Sequence, residues 1–313
     1  MGRGNMRRLG IAGIIAGVVT LGAINVINAN PFTSITPKTT ISYEDVIAPA
    51  SPSFEIIGEY QGIKLLSGMI SLESNTTIGL ERLESPTPNE ESVESALETI
   101  LGAVDNYPPY MLREQCNLQA IYLTGPVTRT LENEYGTENS MVGGIAFRGG
   151  VMAIAIPESN IRYDRIRSTT HHEIKHICEF ANVNDQETFD NEWISLSKEH
   201  GASGEYLGEQ WRNYQSHATN IMGFPNSYSM KNPVEHRAVM WQEVMGNYTN
   251  AHYRFRDDKA YQQLFYHTIR TMREWSDGMM DHEVYGLIAR GEVVDENYYI
   301  RVFGDDAYRF RPY

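Results

Sequence analysis

The sequence predicts an α+β protein, with a small mixed sheet carrying an edge hairpin and then a mostly helical C-terminal half. Three observations carry this. Short apolar runs bounded by Gly, Pro and Asn occupy the chain up to Pro157 and read as strands and hairpins. From Ile161 onward apolar residues recur at helical spacing. The 313 residues are 41% hydrophobic and 11% aromatic, enough to bury a sizeable core in one or two domains.

The elements follow in order. Arg3, Arg7 and Arg8 precede an apolar run from Leu9, and Ile27-Asn28-Ala29 offers a small-residue cleavage site. Residues 1–29 are therefore expected to be a signal peptide or an N-terminal membrane anchor. Either would place the chain outside the cytoplasm, secreted or anchored at the cell surface by its N-terminus. Residues 30–53 are rich in Pro, Ser and Thr and read as a flexible linker. Residues 54–313 form the expected functional domain.

Within that domain, Phe54 to Ser67 reads as a hairpin around Gln61-Gly62. Residues 68–85 give no clear assignment. A helix is expected from Pro88, with Thr87 as N-cap, because Val93, Leu97, Ile100, Leu101 and Val104 keep helical spacing. Pro108-Pro109 ends it. Leu118–Leu123 reads as a strand. Gly143–Phe147 and Val151–Ile156, joined through Arg148-Gly149-Gly150, read as a second hairpin. A helix is expected over about 161–181, then further helices near 187–199, 205–218, 233–246 and 257–275. The segment from Tyr298 to Tyr313 reads as less regular.

The helix at 161–181 contains His172-Glu173-Ile174-Lys175-His176, an H-E-x-x-H pattern. Residues four apart stack on one helix face, with Cβ atoms roughly 5–6 Å apart. Two imidazoles so placed can both reach one zinc ion at about 2.0–2.1 Å. Glu173 can turn toward water bound there and serve as general base. His171 lies outside the i, i+4 pair. A catalytic zinc site wants a third protein ligand and an open position. The extended pattern ending in a third histidine is absent, because Glu179 and Asn182 stand where its Gly and His would be. A glutamate from a second helix is the remaining common solution. Glu235 is the best placed, since Pro233 suits a first helical turn and a carboxylate is favoured there. His236 and Glu243 are its rivals.

Around these residues the chain resembles bacterial zincin-like metallopeptidases of the gluzincin type, including the lethal-factor-like and zinc-binding lipoprotein peptidase families. The resemblance rests on the H-E-x-x-H helix, Gly223-Phe224, Ser227-Tyr228-Ser229, and Glu235 with Ala238. It spans roughly residues 88–250. It implies a zincin-like catalytic domain with one catalytic Zn²⁺ held by His172, His176 and Glu235. It further implies that Glu173 is the base and Tyr228 an oxyanion donor, and that the substrate is a peptide or protein. Two positions depart from the family pattern, which often has acidic residues where this chain has His236 and Val239. Support for the ligands would then come from elsewhere, with Glu243 a candidate. The long stretch between His176 and Glu235 implies a helical insertion.

The net charge of -14 argues against nucleic acid as partner. Cys116 and Cys178 could form one disulfide, but we read both as small buried apolar side chains. A membrane tether through the N-terminal segment is an expected contact. Besides a purely helical exported protein with no metal, two other readings stay open at this point. One is a non-catalytic cell-surface binding protein on the same scaffold. The other is a zinc hydrolase of a non-peptide amide or ester.

Overall fold

The computed structural model describes residues 54–303, apart from 77–78, 134–135, 160, 203–204, 214–220, 247–253, 255–256, 291, 293 and 295. The described residues form two small sheets and seven α-helices, with the helices concentrated in the C-terminal half, as the α+β reading expects. The expected segments 1–29 and 30–53 lie outside the described residues.

The first sheet has the order β1 (Phe54–Tyr60), β2 (Ile63–Gly68), β5 (Ala120–Thr124), β9 (Val151–Ala155), β8 (Gly144–Phe147). Its β2–β5 and β5–β9 pairs are parallel, and the outer pairs are antiparallel hairpins. The second sheet is an antiparallel meander with the order β3 (Ile70–Thr76), β4 (Gly79–Ser85), β6 (Val127–Asn133), β7 (Gly136–Val142). Its first two strands fall within residues 68–85, which carry no clear local signal. Their alternation is diluted by Ser, Glu and Asn, so only their partners stabilise them.

Alternation along the central strands separates two layers of core. Ile121, Leu123, Met152 and Ile154 face the helices. Tyr122, Ala153 and Ile145 face Ile70, Leu83 and Val127 of the second sheet. Two-sided burial of this kind explains why β5 and β9 read as continuous apolar runs.

Helix α1 (Glu90–Val104) is capped by Asn89, whose side chain accepts from the Ser92 amide at 2.7 Å. The expected cap, Thr87, stands outside the helix. Helix α2 (Tyr163–Asn182) carries the H-E-x-x-H segment, and α3 is Gln186–Glu199. In place of the helix expected over 205–218, the described part is one short 3₁₀ segment, Gly208–Asn213. Helix α4 (Pro233–Gly246) starts at the expected proline, with the Asn232 side chain accepting from the Glu235 amide at 2.8 Å. Helix α5 (Lys259–Trp275) follows, and then α6 (His282–Ala289) and α7 (Glu296–Phe303), where the sequence reading saw no helix.

Two expectations need correction. Cys116 and Cys178 are bonded to one another, which pins the end of α2 to the segment before β5. The localisation reading is overturned. No helix among the described residues is long and apolar enough to cross a membrane, which takes about 20 apolar residues. The extracytoplasmic assignment, secreted or anchored, rested on residues 1–29 alone, which lie outside the described residues.

Candidate metal centre

Helix α2 lies under the first sheet with its middle turns fully covered. His172 and His176 are each 8% exposed and Glu173 is 5%. Helix α4 crosses α2 so that its first turn meets the two imidazoles. His172 Nε2 lies 3.1 Å from His176 Nε2 and 3.1 Å from Glu235 Oε2, and His176 Nε2 lies 3.4 Å from the same oxygen. Tetrahedral ligands at about 2.0–2.1 Å from zinc stand about 3.3–3.4 Å apart. The triangle therefore has the dimensions that a zinc ion requires. Among the described residues this is the cluster of His, Cys, Asp and Glu that could hold a metal ion.

The electrostatics agree with the geometry. Burial pushes His176 down to about 4, so its ring is neutral and offers a lone pair at neutral pH. Burial alone would raise Glu235. Lys231, foremost, and the facing His172 and His176 rings outweigh it and hold the carboxyl well below its usual range. Lys231 Nζ lies 3.1 Å from Glu235 Oε1, which leaves Oε2 turned to the imidazoles. Two imidazoles and one carboxylate make a donor set suited to zinc.

Glu173 lies against β8, within electrostatic reach of His172 and Glu235. Its carboxylate accepts the Ala146 amide, and burial pushes it up to about 7. The close approach needs Gly144: a Cβ there would stand 2.7 Å from Glu173 Cγ and 2.8 Å from Oε1. Strand β8 ends its sheet, and the Ala155 amide donates to the Gly143 carbonyl. Antiparallel alternation then turns the main-chain groups of Gly144 and Ala146 to the open edge, where Glu173 meets one of them.

Tyr228 opens a short 3₁₀ turn, Tyr228–Met230, and its ring centre lies 5.8 Å from that of His172. Trp211 meets it edge-on at 5.0 Å. The structure thus brings all five sequence-read site residues to one place.

The rivals for the third ligand sit elsewhere. His236 Nε2 donates to the Gly223 carbonyl at 2.8 Å, and its Nδ1 accepts from Trp193 Nε1 at 3.2 Å. Burial pushes it down to about 3, so it is neutral with both nitrogens engaged. Phe224 stacks on this ring at 4.6 Å, which gives Gly223-Phe224 its role in seating α4. Glu243 is two turns further along α4, about 12 Å away by helical rise, beside Tyr261. It does not supply the expected support for the ligands. His171 is fully buried on another face, with its Nδ1 2.9 Å from the Tyr107 hydroxyl. The residues that sequence reasoning missed are Gly144, Lys231, Lys175, Glu179 and Arg237. As letters they are an ordinary strand glycine and ordinary helix or turn charges, with no signal of burial.

No protein-family model and no curated protein matches this chain. Among solved structures, the chain is similar to one described as a "putative zinc-binding metallo-peptidase" from Bacteroides caccae. The two share 17% identity over 64% of this chain and 74% of that one, with a TM-score of 0.42. At that level of likeness the reading of the site rests on its own geometry.

Proposed function

We propose that this protein is a zinc-dependent metallopeptidase, with His172, His176 and Glu235 as metal ligands and Glu173 as general base. The observation that carries the reading is the three-donor triangle with a buried carboxylate beside it at an open sheet edge. When bound by these three residues, zinc would lower the pKa of water toward about 7 and polarise a carbonyl.

The chain's own groups supply the rest. Glu173, held near neutrality, accepts a proton from water and returns it to the departing amine. The Tyr228 hydroxyl donates to the oxygen on which negative charge develops. The outward main-chain groups of β8 other than the Ala146 amide pair with an extended peptide and lay it along the site. That edge favours a peptide over a compact amide or ester.

The test joins metal analysis to cleavage of a peptide library. Wild-type protein should hold one zinc and cleave peptides. Glu173→Gln should keep the zinc and lose about 10²–10⁴-fold in turnover, the usual size of a general-base contribution. Full activity of Glu173→Gln, or wild-type protein without zinc, would overturn the reading.

A further inference from the structure

Beside the three donors lies a second constellation that takes no part in the proposed chemistry. Lys175 is 2% exposed, Glu179 is 0% and Arg237 is 3%. Glu179 accepts from Arg237 Nε at 3.0 Å and from Nη2 at 2.7 Å, and it pairs with Lys175. Arg237 Nη2 also reaches Asp190 Oδ1 on α3 at 2.5 Å, and its guanidinium lies 4.5 Å over the Phe189 ring. Lys175 Nζ donates to the Val234 carbonyl at 3.1 Å.

Two cations and two carboxylates balance in charge, yet burying them is expensive. Apolar side chains of similar size in such places are often neutral or stabilising by comparison. Stability therefore does not account for the cluster. Ion pairs supply something that apolar packing does not, which is register. A guanidinium fork meets a carboxylate in one geometry, whereas apolar surfaces tolerate small slides.

The placement makes that register matter. Val234 and Arg237 lie on either side of Glu235 in the first turns of α4, and both are tied to α2. Lys175 and Glu179 lie on either side of His176. A zinc site needs its ligands placed within about 0.5 Å, so the crossing of these two helices has little freedom. We infer that Lys175, Glu179 and Arg237 are positioning residues, which set α4 on α2 so that Glu235 Oε2 meets His172 Nε2 and His176 Nε2. The inference rests on the zinc reading above and adds the device that keeps the ligands in place.

The experiment measures zinc affinity by competition with a chelator, the ligand-field spectrum of the Co²⁺-loaded protein, and Tm. The variants are Arg237→Lys, which keeps the charge and loses the fork, and the apolar triple Lys175→Met, Glu179→Leu, Arg237→Met. Leu83→Ala, in the separate cluster between the sheets, is the control for lost stability alone. Arg237→Lys should weaken zinc binding about 10–100-fold, the usual cost of losing an outer partner, and alter the Co²⁺ spectrum. A folded triple variant should do the same, while the control loses Tm with its zinc affinity intact. Arg237→Lys alone decides where the triple variant does not fold. Zinc affinity and Co²⁺ spectrum unchanged in Arg237→Lys would overturn the inference and leave the zinc reading standing. Wild-type protein that binds no zinc would overturn both.

Discussion

Single residues decide how Glu173 meets the edge strand. Gly144 shows no motif and has no unusual backbone angle that would call for glycine. Its role appears only when Glu173 is seen 2.7 Å from where its Cβ would be. Gly144→Ala should therefore displace the Glu173 carboxylate or β8 by a fraction of an ångström. We expect kcat/KM to fall about 10–10²-fold with zinc content unchanged, because small misplacements of reacting groups are costly. An alanine variant with wild-type kcat/KM would show that Glu173 has room to spare. His236 teaches the reverse lesson. As a letter next to Glu235 it competed for the metal, but its two nitrogens are committed to Gly223 and Trp193. The tautomer follows from those partners, with the proton on Nε2 because Nδ1 accepts.

At the scale of elements, two contacts set the stability around α2 and α3. The Cys116–Cys178 bond spans 62 residues and ties the end of α2 to the segment before β5. Loop-closure entropy puts its contribution at about 4 kcal/mol. Replacing both cysteines with alanine should lower the unfolding free energy in urea by about that amount. An equal midpoint and slope would mean that the bond constrains nothing. The second contact is His267 of α5, which packs against Phe189 and Trp193 of α3. Burial, followed by the charges of Arg270 and Arg237, pushes His267 down to about 4. In the unfolded chain a histidine takes up its proton near pH 6.5. Between those values the unfolded state binds the extra proton, so stability falls as pH drops from about 6.5 to about 4. His267→Gln should lose less stability than wild type between about pH 7 and about pH 5 in urea titrations. Parallel pH profiles for the two proteins would remove His267 from the account.

For the whole molecule, the metal and the fold should be linked. Zinc bound by the folded chain at about a hundred times its Kd adds about 2.7 kcal/mol. Tm should therefore rise with added Zn²⁺ and fall again with chelator, whereas Glu235→Ala should show no such response. A Tm indifferent to zinc would separate the triangle from metal binding. The sequence by itself determined the α+β class, the two hairpins expected at 54–67 and 143–156, and the helix that holds His172, Glu173 and His176. Each follows from a local period or a turn residue, which the chain expresses without reference to distant parts. Tyr228 was singled out by a resemblance, and Glu235 also by the proline that opens its helix; both lie beside the His172 ring. The meander β3–β4–β6–β7 and the disulfide were decided by partners far along the chain, as were the seating of His236 against Gly223 and Trp193 and the buried Lys175–Glu179–Arg237 cluster. Polar strands take their stability from neighbours, and a charged residue has the same letter whether it faces water or lies between two helices. Burial is the quantity that separates those cases, and burial exists only once the helices have packed.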